Sequence, residues 1–202
     1  AFLRRSLYLL AVIKESMGAS VLYAFNLTTA GIPVFFAGKL FRKKILIRVA
    51  GDPIWERTVE KGKRFVSFAK YYEQGLYKVD RPWLFKLIRF TLPRFDAIVF
   101  YTPLLKDLYE NYYGVPVTKT HLIFNPVARR EPLKVERAVE PTVLFAGRFV
   151  AYKNLELVAR VFDKIRQKLG RGKLIMIGDG PDKEKLAGII KQLSSASHIE
   201  MI

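Results

Sequence analysis

The sequence predicts an α/β protein built from two parallel-sheet units, and three observations carry that prediction. Short segments rich in β-branched and aromatic residues alternate with segments of helical periodicity along nearly the whole chain. Around residue 130 the alternation stops at Arg129, Arg130, Glu131, Pro132 and Pro141, then restarts. Half of the 202 residues are hydrophobic, enough apolar material for packed cores.

Each element follows from local chemistry. Residues 3–17 place Leu3, Leu7, Leu10 and Ile13 near a 3.6-residue period, which predicts a helix. Val21–Phe25 reads as a short buried strand. Asn26 to Thr29 offer turn and capping side chains for a helix running to about Phe41. Lys44–Val49 is the next strand, stopped by Gly51, Asp52 and Pro53. Residues 54–81 are charged and aromatic, with helical pieces and a loop near Gly75. A helix over 82–92 and a strand over 97–100 follow. Thr102 then caps a helix over 103–113 that carries Pro103 at its first position. Thr120–Phe124 reads as a strand ending at Asn125 and Pro126. Beyond the interruption come a strand over 142–146, a helix over 154–169, a strand over 173–177, a helix over 182–193 and a strand over 198–202. The expected division is 1–126 for a first unit, 127–141 for a linker and 142–202 for a second unit. A ligand is then expected at the carboxyl ends of the strands.

Composition narrows the chemistry. The chain has no cysteine, which excludes disulfides and thiolate metal sites, and its two histidines make a structural zinc site a poor expectation. The net charge is +17, from 35 Lys and Arg against 18 Asp and Glu, so anionic partners are favoured. The charges interleave with apolar residues, as in the segment from Arg81 to Arg89. That pattern suits a basic helix at an anionic membrane surface, and equally a helix packed on a sheet with a wet polar face. No run reaches the ~20 apolar residues needed to span a bilayer. A helix-turn-helix, zinc module or RNP-like aromatic motif is missing, so no specific nucleic-acid partner is expected. A basic, non-enzymatic protein that binds nucleic acid through its phosphates, or binds a membrane peripherally, stays open as the alternative function.

Two segments hold candidate chemistry. After the strand at 142–146 stand Gly147, Arg148 and Lys153. Arg148 offers a planar fork of donors suited to phosphate, and Lys153 a mobile positive charge near a helix start that favours anions. After the strand at 173–177 comes Gly178, Asp179, Gly180 and Pro181, where glycines permit close approach of a ligand to backbone N–H groups. Taken alone, each segment also reads as ordinary surface charge and an ordinary turn.

Together, the run Val143 to Phe149 with Lys153 and Asn154, and then Leu174 to Pro181, resemble the core of retaining GT-B glycosyltransferases of the glycogen-synthase-like group 1 (family 4) kind. Ile123 to Val127 resembles that family's strand end before its interdomain linker, and Arg48 to Glu56 is similar to a segment bordering the active cleft in some bacterial members. The resemblance implies a GT-B-like fold of two Rossmann-like units. It implies transfer of a hexose-type sugar from a nucleotide-sugar donor to a glycan or lipid-linked acceptor, in the cytoplasm or on the inner face of the membrane. Arg148 and Lys153 would neutralise the departing diphosphate, which needs no metal or other cofactor. Gly178, Asp179 and Gly180 would lie beside the nucleotide. Asp52 stands where many relatives carry His, and either binds a sugar or acceptor group or serves as a turn carboxylate. Asn125 either faces the cleft or ends its strand, and Trp55 either stacks on a sugar or is buried. His121 and His198 stand alone and are given no role.

The resemblance also implies a fragment. Full members carry a glycine-rich loop ahead of the first helix here and a pair of glutamates eight positions apart beyond the last strand. Both units are therefore expected to be incomplete, with exposed apolar edge strands and no competent catalysis by the chain alone.

Overall fold

The computed structural model describes residues 2–60, 66–128 and 139–202, with side chains from Ser6 onward. The chain divides into two compact units. Among the described residues the first holds 2–58 and 66–128, and the second holds 59–60 and 139–202. Most of the segment expected as a linker lies outside the described residues.

In the first unit the order is α1 (Phe2–Gly18), β1 (Val21–Ala24), α2 (Gly31–Leu40), β2 (Lys44–Val49), α3 (Pro53–Glu60), α4 (Phe68–Glu73), α5 (Tyr77–Asp80), α6 (Pro82–Thr91), β3 (Ala97–Phe100), α7 (Pro103–Tyr113) and β4 (Thr120–Leu122). The last two residues of α3 group with the second unit. The four strands form a parallel sheet in sequential order β1-β2-β3-β4, so each connection must cross over, and helices supply the crossovers. Ile45, Ile47, Val49, Ile98 and Phe100 are buried to within 1% and build the core with Tyr71, Tyr72, Tyr109 and Tyr113. Burying each such side chain contributes about 1.5–3 kcal/mol.

Thr102 caps its helix as the sequence predicts, whereas the N-cap of α2 is Ala30, without a side-chain cap, and Asn26 acts in the turn ahead of it. Asn26 Oδ1 accepts from Ala30 N at 2.9 Å ahead of α2, and Thr102 Oγ1 accepts from Leu105 N at 3.3 Å at the start of α7. Two strands differ from expectation. β1 is only half buried: Leu22 and Ala24 face the core while Val21 and Tyr23 stay exposed, because an edge strand here has one covered face. β4 stops at Leu122 rather than Phe124. One further ladder bond, Ile123 N to Phe100 O at 2.9 Å, ends the pairing.

The second unit carries β5 (Thr142–Ala146), α8 (Leu155–Leu169), β6 (Lys173–Ile177), α9 (Lys183–Ile190) and β7 (Ile199–Met201), with parallel order β5-β6-β7. Its core joins Phe149, Leu155, Ala159, Phe162, Leu174, Met176, Leu186 and Ile190. α9 is shorter than the predicted 182–193, since the chain turns after Ile190. β5 is an edge strand with Val143 and Leu144 at least half exposed. Val143 and the α8 residues Leu157, Val158, Val161, Phe162 and Ile165 line an apolar groove of about 300 Å³. Among the described residues no helix is long and apolar enough to cross a membrane.

Candidate functional site

In the second unit the predicted donor-side residues sit on two loops, at the carboxyl ends of β5 and β6. Backbone bonds tie these loops together. Gly147 N donates to Ile177 O at 2.9 Å, Phe149 N to Asp179 O at 2.9 Å, and Asp182 N to Phe149 O at 3.1 Å. Phe149 is fully buried in the unit's core, and Val150 is nearly so. The chain therefore inserts Phe149 inward and leaves the neighbouring Arg148 outward, 65% exposed. The loop ends in a short 3-10 turn, Ala151–Lys153, and then Asn154 in the left-handed region at φ 51°. Lys153 is exposed on that turn, its Nζ 5.6 Å from the Tyr152 ring centroid. Arg148 and Lys153 thus share one loop that is anchored at Phe149.

The glycines at 178 and 180 meet a packing requirement of the fold. A Cβ on Gly178 would lie 2.0 Å from Gly147 O, and one on Gly180 would lie 2.2 Å from Phe149 O. Gly178 is also at φ +149°. Both positions are glycine because the two loops touch backbone to backbone there, which is a packing requirement. The N–H of Gly178 donates to Ile202 O at 3.0 Å, so it is occupied within the fold. Asp179 contributes its carbonyl to Phe149, while its carboxylate is exposed, 3.9 Å from Lys183 Nζ. Sequence reading also missed a partner of Arg148: its Nη1 donates to Glu60 Oε1 at 2.7 Å in the same unit. Glu60 is 88 positions away in sequence, so no local pattern signals it.

In the first unit Asp52, left open in sequence between a sugar-binding group and a turn carboxylate, takes the turn position. It is 2% exposed. Its Oδ1 accepts from Ile54 N at 3.0 Å and Trp55 N at 2.7 Å, capping α3. Its Oδ2 accepts from Tyr72 OH at 2.6 Å and Tyr109 OH at 2.8 Å, and the Tyr72 and Tyr113 hydroxyls are 2.6 Å apart. The carboxylate is the hub of a buried tyrosine network, and its lone pairs are directed into the fold. Burial pushes its carboxyl above the usual carboxylate range, against the hydrogen bonds from Trp55, Tyr72, Tyr109 and Ile54 that pull it down. Burial, then the negative charge of Asp52, holds Tyr72, Tyr109 and Tyr113 above the usual phenol range. Burial also pushes Tyr71 up to about 12. One signal could have exposed this hub: Tyr109 and Tyr113 are four apart, on one helix face.

The remaining candidates are structurally engaged. Asn125 Oδ1 accepts from Arg48 Nη2 at 2.7 Å, and the same Nη2 donates to Ile123 O at 3.3 Å. Arg48 thereby fixes the strand exit after β4. Trp55 is partly buried, donates Nε1–H to Val66 O at 3.0 Å and lies 5.4 Å from the Phe68 ring. No group of three or more His, Asp or Glu side chains able to hold a metal occurs among the described residues.

Comparison with known proteins shows the fold. The solved structure of the lipopolysaccharide outer core galactosyltransferase WaaB in its apo form is similar over 99% of this chain and 48% of that one, with TM-score 0.52 and 17% identity. A mutant of S. aureus TarM, in complex with fondaparinux, alpha-GlcNAc-glycerol and UDP, is similar over 98% of this chain and 35% of that one, with TM-score 0.61 and 16% identity. The pneumococcal O-GlcNAc transferase GtfA in complex with UDP and GlcNAc gives 95% and 36%, with TM-score 0.60 and 12% identity. The fold is therefore GT-B-like, and the chain spans between about a third and a half of the length of these proteins. Residues 130–202 match the family described as glycosyl transferases group 1. No curated protein matches the chain at a significant level.

Proposed function

We propose that the protein is a retaining glycosyltransferase whose second unit binds the diphosphate of a nucleotide-sugar donor through Arg148 and Lys153. The observation that carries this reading is the anchored loop after β5. Buried Phe149 holds the backbone, so that Arg148 and Lys153 stand exposed on it, within a segment that matches the glycosyl transferases group 1 family. In the proposed reaction the bond between the sugar's anomeric carbon and the donor phosphate oxygen breaks. The acceptor hydroxyl oxygen bonds to the same face of that carbon, and its proton leaves with the diphosphate. Negative charge grows on the diphosphate in the transition state, and preplaced cations lower that barrier. On this reading Arg148 exchanges its ion pair with Glu60 for the phosphate, and no metal is required.

UDP in two of the similar structures makes UDP-sugars the first donors to test. The lipopolysaccharide role printed for WaaB makes cell-envelope glycans and their lipid-linked precursors the first acceptors to test. A cytoplasmic protein would meet both. The test is titration calorimetry of the chain with UDP and a panel of UDP-sugars, beside turnover assays with those acceptors. Binding that weakens about tenfold or more in Arg148→Ala and in Lys153→Ala, each losing a charge-assisted contact, supports the reading. Unchanged affinity in both variants would sink it.

A further inference from the structure

The first unit concentrates positive charge and exposed apolar side chains on the same helices. From Ser16 to Gly51, and again from Arg81 to Phe95, the sequence contains no Asp or Glu. Within α6 the buried face is Leu84, Phe85, Ile88 and Thr91. The opposite face, at helical spacing, carries Trp83, Lys86 and Phe90, with Trp83 61% and Phe90 51% exposed. The Arg94 guanidinium lies 4.2 Å from the Phe90 ring centroid and donates to Phe90 O. The row continues onto α2. Phe90 contacts Phe35 at 6.1 Å, Phe35 contacts Phe36 at 5.2 Å, and Lys39 Nζ is 5.9 Å from the Phe35 ring. Phe36 is 51% exposed and Leu40 66%.

We propose that this α2–α6 face docks on a bilayer surface of anionic lipid. Its chemistry fits that partner at two levels. Lys39, Lys86, Arg89 and Arg94 attract anionic headgroups, each cation near such a surface contributing about 1 kcal/mol, or about fivefold in affinity. Trp83, Phe90, Phe36 and Leu40 supply apolar bodies that enter the headgroup region, where tryptophan is favoured. Nucleic acid would use the same cations and stack on the aromatic rings, but it gives no partner to an exposed aliphatic side chain such as Leu40. The surface lies wholly in the first unit, so its test is separate from any test of Arg148 and Lys153.

The test is flotation of the intact chain with vesicles of phosphatidylcholine, alone or mixed with phosphatidylglycerol, at low and high salt. The expected result is binding to the mixed vesicles only, released by salt, with a blue shift of tryptophan emission that disappears in Trp83→Phe. The double variant K86E/R89E is expected to keep the wild-type thermal melt and to lose more than about tenfold in vesicle affinity. Should that variant fail to fold, quenching of wild-type emission by brominated phosphatidylglycerol, absent in Trp83→Phe, supplies the same evidence. Equal binding to neutral vesicles, no blue shift, preference for duplex DNA over mixed vesicles, or self-association that leaves no vesicle binding would each overturn the proposal.

Discussion

Asp52 shows how far a single residue's role depends on what surrounds it. In sequence it is an acid between a strand and a proline, compatible with a site or a turn. In the structure it satisfies two N–H groups of α3 and two tyrosine hydroxyls. Asp52→Ala is expected to cost about 2–4 kcal/mol by leaving these donors unpaired, measured by urea unfolding. The pH dependence has a definite sign. Burial raises the folded carboxyl above its unfolded value, so its contribution is fullest below about pH 4 and is lost as pH rises through the folded value. Wild type should therefore lose stability relative to Asp52→Asn as pH rises from about 4, and the opposite trend would contradict the assignment. Glycines offer a second contrast. Gly178→Ala forces a Cβ onto Gly147 O at a φ of +149° and should cost about 3 kcal/mol. Gly188→Ala meets open space within α9 and should stabilise by about 0.8–1 kcal/mol in the same melts.

At the scale of elements, the strands and most helices were legible because their signals are local. Periodicity marked α1 and α8, β-branched runs marked β2 and β5, and Thr102 with Pro103 marked the start of α7. Thr102→Ala should cost about 1 kcal/mol, read as a lowered midpoint of the first unit's unfolding. Less legible were features set by distant pairing. The end of β4 depends on where Phe100 and Arg48 lie, and the role of Gly178 and Gly180 depends on a loop about thirty residues earlier in the chain. Arg148 and Lys153 were singled out by residue type and by the family resemblance of their segment. The burial of Phe149 that orients them, and the ion pair of Arg148 with Glu60, come from tertiary packing and leave no mark in a local window.

For the whole molecule, two units with separate cores predict two unfolding transitions. The second unit has the smaller core and should melt first. Both tryptophans, Trp55 and Trp83, belong to the first unit, so tryptophan emission should follow only the later transition while far-UV circular dichroism registers both. Gly178→Ala should lower the first transition and Asp52→Ala the second, each with little effect on the other. A single transition, coincident by both probes, would rule this out. The sequential strand order of each sheet bears on the chain's history during synthesis. β4, the last described strand of the first sheet, ends at Leu122, whereas β7, the last described strand of the second, ends at Met201. At ~5–20 residues per second, a ribosome takes several seconds to cover that interval. The described strands of the first sheet are all made before that interval while those of the second are still being added, so translation separates in time two searches for parallel partners that a denatured chain in a test tube must perform at once.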